Sequence, residues 1–216
     1  MRFFWFVCVT AVLALALSAC GGNAAHTLDD ADLRDMVMIT SEGLPWPVSL
    51  AGDKAMSNEE AASEFPDPEQ WLKNYDEWGR VGDHYAEFRS EAGVTPPVGL
   101  GIDVEYYSSA AGAGSAWAAI RDLMLSDEMV QSLKDKGMAA SAILEVDAEG
   151  VGDESVAVFM GTVSGNVQGG TYVTLFHREG IVGSVTVTAV AGAISVEDAV
   201  AVAEQLDARI QDILKR

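Results

Sequence analysis

Thr171-Tyr172-Val173-Thr174-Leu175-Phe176-His177, Arg178-Glu179-Gly180, Ile181-Val182-Gly183-Ser184-Val185-Thr186-Val187 is the run of sequence that decides the fold. Two segments rich in β-branched and aromatic residues flank a short connection, and Gly180 offers a positive φ within it. That pattern predicts an antiparallel hairpin. The second segment continues to Val190, with Val185 and Val187 on one side and Ser184, Thr186 and Thr188 on the other. Antiparallel sheets allow one buried face and one wetter face of this kind.

Downstream, Ser195-Val196-Glu197-Asp198 reads as a capping box. Val196, Ala199, Ala203, Leu206, Ile210 and Ile213 then form an apolar stripe along the helix it opens. Upstream, residues 141–146 and 155–163 read as further strands, as do residues 85–90. Leu100, Ile102, Val104 and Tyr106 alternate with Gly101, Asp103, Glu105 and Tyr107, which predicts a half-buried strand. Residues 110–125 carry Ala113, Ala116, Trp117, Ile120, Leu123 and Met124 on one helical face, and Ser126 caps a continuation that Gly137 ends.

Before Asp83 the pattern is helical with breaks. Thr27-Leu28-Asp29-Asp30 approximates a capping box, and Leu44-Pro45-Trp46-Pro47 forces an extended turn. Asp67, Pro68, Gln70 and Gly79 bracket a better helix, along which Trp71, Leu72, Tyr75 and Trp78 make an aromatic stripe. The order predicts an α+β fold: an antiparallel sheet of about five to six strands, helices packed on one face, and an N-terminal helical annex. The division expected is residues 1–19 as signal, 20–26 as tether, 27–82 as helical part and 83–216 as sheet domain, with 27–216 one folding unit.

The hairpin from Thr171 to Val187 and the helix from Val196 to Ile210 resemble the end of the sensor-like extracellular domains of mycobacterial serine/threonine kinases and of related bacterial lipoproteins. The likeness covers roughly residues 150–216, with a fainter echo from Asp35 to Pro45. It implies an extracytoplasmic ligand-binding or sensing module without catalysis of its own. Those domains carry disulfides, whereas the cysteines of this chain are Cys8 and Cys20 alone.

Both cysteines lie near the N-terminus. Arg2, an apolar run from Phe3, and small residues before Cys20 have the layout of a secretory signal. Leu17-Ser18-Ala19-Cys20 resembles the bacterial lipobox, which implies cleavage before Cys20 and attachment of a diacylglyceryl group to its thiol. The expected location is the extracytoplasmic face of the cell membrane, anchored through Cys20, with Gly21 to His26 as the tether. No basic cluster follows the apolar run to stop its transfer, which disfavours a retained span. With Cys8 in the signal and Cys20 acylated, the mature domain has no thiol for catalysis, disulfides or thiolate metal sites.

Composition is that of a folded chain, with 49% hydrophobic and 21% charged residues. The formal charge is −20, and loss of Arg2 makes the mature form one unit more negative. A surface this anionic repels nucleic-acid phosphate and anionic headgroups, so nucleic acid is excluded as a partner.

Catalytic patterns fail on inspection. Gly112-Ala113-Gly114-Ser115-Ala116-Trp117 places a tryptophan where a dinucleotide fingerprint needs its third small residue. In Gly161-Thr162-Val163-Ser164-Gly165 the serine comes one place late for a nucleophile elbow. His26, His84 and His177 sit where solvated imidazoles are ordinary. Asp147, Glu149, Asp153 and Glu154 could form a weak surface calcium site, although Val151 and Val158 stand where an EF-hand needs oxygen ligands; no other cofactor is expected. Trp46, Trp71, Tyr75, Trp78 and Trp117 are candidates for a ligand pocket at the seam between the helical part and the sheet, with core packing as the alternative. The function expected is a non-enzymatic, lipid-anchored module binding a small ligand or an envelope protein. The alternatives are an accessory subunit of an envelope complex and, beyond that, a hydrolase with an unrecognised acid–base site.

Overall fold

The computed structural model describes residues 27–216 except 41, 43, 45, 92–97, 136–142, 147, 165–166 and 191. The expected signal, tether and Cys20, together with Asp147 and Gly137, lie outside the described residues. Among the described residues seven strands form one antiparallel sheet: β1 (Val48–Ala55), β2 (Arg80–Ser90), β3 (Val98–Tyr107), β4 (Ile143–Val146), β5 (Glu154–Ser164), β6 (Val167–Arg178) and β7 (Ile181–Val190). The spatial order is β1-β2-β3-β7-β6-β5-β4. The chain thus runs β1-β2-β3, crosses to the far edge, and meanders back until β7 pairs with β3 at the centre.

The helices are α1 (Asp30–Val37), α2 (Asn58–Ala62), α3 (Pro68–Trp78), α4 (Ala110–Met124), α5 (Asp127–Asp135) and α6 (Val196–Leu214). Among the described residues no helix is long and apolar enough to cross a membrane. The α+β class and the antiparallel sheet are as expected, but the helices cover both faces, not one. On the first face α1 and α6 pack against Phe88, Leu100, Ile102, Val104, Val185 and Val187. On the second, α3 and α4 cover Tyr107, Val156, Val158, Leu175 and Val182. Alternate residues of the central strands are therefore buried on opposite sides, giving three layers.

Two further expectations change. The N-terminal part contains β1, whose Val48 alone is buried, so as an edge strand it lacks the apolar alternation that marks strands in sequence. The box opening α1 is Asp29 with Asp32, two residues later than expected: Asp29 Oδ1 accepts from the Ala31 and Asp32 amides, and Asp32 accepts from Asp29 N–H. The caps of α3 and α6 stand where the sequence puts them, at Asp67 and Ser195.

Candidate functional site

The second face is polar at its centre. Gly79, at φ 73°, ends α3 and turns the chain directly into β2, so that Arg80 enters the sheet beneath α3. Glycine is also required at position 112 in α4, since a Cβ there would run into the Trp78 carbonyl at the end of α3. This close approach of α3 and α4 roofs the sheet.

Under the roof, the Arg80 side chain is fully buried and each of its three nitrogens donates to a named partner. Nε donates to Glu105 Oε1 at 3.0 Å, Nη1 to Asn58 Oδ1 at 2.7 Å, and Nη2 to Asp83 Oδ2. Its guanidinium lies 4.7 Å from the centre of the Tyr75 ring. Glu105 accepts three times: from Arg80, from Tyr75 O–H at 3.3 Å and from Tyr107 O–H at 2.6 Å. Burial and Glu105 push both phenols upward, so they remain donors.

Asp83, Asp103 and Glu105 bring carboxylate oxygens within 4.8 Å of one another. Asp83 Oδ1 and Asp103 Oδ1 are buried and have no hydrogen-bond partner among the described residues. The two carboxyls face each other with oxygens no more than 4.8 Å apart. Burial pushes Asp83 up to about 7 against the pull of Arg80, and burial with the neighbouring Asp83 and Glu105 lifts Asp103 well above the usual carboxylate range. The pair holds a proton at neutral pH.

This pair opens on a cavity of about 140 Å³. Met124, Val173, Leu175 and Val182 wall it, and Met56 and Glu64 stand toward its outer side. A second hollow of about 330 Å³, reaching Lys54, Tyr85 and Thr186, shares Met56, Glu64, Asp103 and Ser184 with the first.

The comparison that bears on this arrangement is structural. The chain shares its fold with the extracellular domain of PknH from Mycobacterium tuberculosis. The match covers 89% of this chain and 100% of that one, at 10% identity and a TM-score of 0.53, and it is in line with the resemblance read from the hairpin and the last helix. No family model and no curated protein matches the sequence.

Of the aromatic residues proposed from sequence, only Tyr75 lines the 140 Å³ cavity. Trp71 and Trp78 pack edge-on to one another over Tyr75, and Phe65 stacks on Trp71 at 3.8 Å. Trp117 binds the Leu175 carbonyl at 3.4 Å and carries Arg121 over its ring. Trp46 packs on the opposite face, against the α1–α6 core, so the five are not brought together. In the acidic loop, Asp153 accepts from Glu179 N–H at 2.9 Å and from Arg178 at 3.4 Å, while Glu149 and Glu154 are exposed. Among the described residues, the acids that converge are Asp83, Asp103 and Glu105.

His84 departs from a solvated histidine. It is buried, and its Nε2 lies 3.0 Å from Asp53 Oδ2, which also binds Arg34 at 2.7 Å. The polar centre itself was missed because Asp103 and Glu105 alternate with apolar residues as solvent-facing acids do. The available signal was Arg80-x-x-Asp83 at the start of the neighbouring strand, which sets Asp83 opposite Glu105 and Arg80 opposite Tyr107.

Proposed function

We propose that this chain is an extracytoplasmic, lipid-anchored domain that binds or senses a ligand and performs no catalysis of its own. The observation that carries the reading is the roofed cavity lined by Asp83: a fully buried carboxylate with one oxygen unanswered among the described residues. Such a group is costly unless something meets it. Glu105 has both oxygens committed to donors, which makes it a structural acceptor and not a free base. The lipobox-like Leu17-Ser18-Ala19-Cys20 supports the anchoring, and the fold shared with an extracellular domain supports the location.

The test is native mass spectrometry of the full-length protein extracted gently from its own membrane. Acylated Cys20 at the mature N-terminus, with a small non-covalent adduct, is the expected result. An N-terminus that is uncleaved or not acylated removes the anchor. A stoichiometric protein companion without a small adduct would establish the accessory-subunit reading instead.

A further inference from the structure

The lining of the 140 Å³ cavity specifies the chemistry of its occupant. Its inner end carries two unanswered carboxylate oxygens, Asp83 Oδ1 and Asp103 Oδ1, with the Ser184 side chain on the same wall. Its sides are largely apolar, with Glu64 toward the outer side. Arg80 supplies one positive charge against the three acids Asp83, Asp103 and Glu105, leaving the centre short of cation once they ionise.

We propose that the cavity takes a small amphipathic organic cation, a primary ammonium on a short apolar chain, with its charge between Asp83 and Asp103 and its chain against Met124, Val173, Leu175 and Val182. This rests on the binding reading above. An ammonium has three N–H donors, which match two carboxylate oxygens and one hydroxyl. A hard divalent cation is a poorer fit, because calcium takes about six to eight oxygens and magnesium about six. Here Asp83 Oδ2 is bound to Arg80 and both Glu105 oxygens are bound to donors. Few oxygens remain: Asp83 Oδ1, the Asp103 carboxylate, the Ser184 hydroxyl and, toward the outer side, Glu64, fewer than a hard cation needs at close range. The volume also suits a few-carbon chain: a dry cavity of about 150 Å³ holds benzene.

Binding is linked to protonation, since the ammonium replaces the proton the pair holds. Affinity rises with pH over the range in which Asp83 loses its proton. The other charged or titratable groups facing the pair are Arg80 and Tyr85 of β2, Glu105 and Tyr107 of β3, Tyr75 of α3, Glu64 beyond α2 and Lys54 of β1. Arg80 stays charged throughout, and Lys54 stands in the outer hollow.

The test is titration calorimetry and thermal unfolding of the full chain with n-pentylammonium chloride, n-pentanol and calcium chloride. Pentylammonium is expected to bind, more tightly at about pH 8 than at about pH 6, and to raise Tm as its concentration rises. Asp83→Asn should weaken it about tenfold or more. Ser184→Leu, which fills the cavity and leaves the acids intact, should abolish it, and carries the test if the Asp83 variant does not fold. Equal binding of pentanol, binding of calcium in place of pentylammonium, indifference of pentylammonium to both variants, or no binding of pentylammonium would each overturn the assignment. In those cases a native adduct of another class leaves the binding reading standing. With no adduct as well, both fall.

Discussion

Glu179 is held at φ 51°, a left-handed conformation that costs a side-chain-bearing residue about 1 kcal/mol or more. The connection between β6 and β7 is the pair Glu179-Gly180, and the positive φ falls on the glutamate, not on the glycine the sequence offers for it. Gly180 is needed for a different reason: a Cβ there would stand 2.8 Å from the Tyr107 carbonyl. Asp153 holds the turn by accepting from Glu179 N–H. Glu179→Gly is therefore expected to raise Tm by about 1–3 °C, less the chain entropy of the added glycine, and a thermal melt checks it. At Asp83 and Asp103 the folded pKa values lie above the ordinary 3.8. Their contribution to stability is full below that value, and that of Asp83 is lost as pH rises through about 7. Asp103→Asn sets an amide beside Asp83 and removes one titration, so its Tm should fall less than wild type between about pH 5 and pH 8. An equally steep decline in both proteins would place the effect elsewhere. Asp53 acts in the opposite window: Arg34 and then His84 hold it down to about 2, so its stabilisation disappears in acid as pH falls from 3.8 toward 2.

At the scale of elements, legibility followed the amphipathic period. α6 was readable because its stripe and its box, Ser195 with Asp198, lie within one contiguous segment. Ser195→Ala is expected to cost about 1 kcal/mol, with Ser195→Asp recovering most of it, in denaturant melts of the two variants. β7 was readable for the same reason, since Val185 and Val187 meet the α1–α6 core while Ser184 and Thr186 do not. β1 was not, because an edge strand is held by its ladder to β2 and needs no apolar face. The α3–α4 contact depends on two residues far apart in sequence, Gly112 and Trp78. Gly112→Ala should part these helices and cost about 1–3 kcal/mol, and it should weaken any ligand of the cavity beneath them.

Across the whole molecule the formal charge of −20 sets a field that favours solubility and opposes compaction. The ion pairs of Arg34, Arg80 and Arg178 place cations among acids, but 13 basic residues cannot balance 33 acidic ones. Salt should therefore stabilise the fold: Tm is expected to rise by a few degrees (about 2–5 °C) between low salt and about 0.3 M NaCl at neutral pH. A fall would mean that the ion pairs outweigh the general repulsion.

The sequence by itself determined the class of the fold, because hairpin chemistry, strand alternation and helix caps are local and survive being read one segment at a time. It also carried the lipobox-like segment on which the anchoring proposal rests. Only the tertiary structure decided that the second face of the sheet is roofed, that Glu105 is interior and Asp103 half-buried, and that Asp83 and Asp103 each leave an oxygen unanswered at the cavity. The physical reason is that a carboxylate's environment is set by what lies across the sheet and above it. Arg80, Tyr75 and Gly112 come from three separate elements, and no spacing along the chain records that they converge.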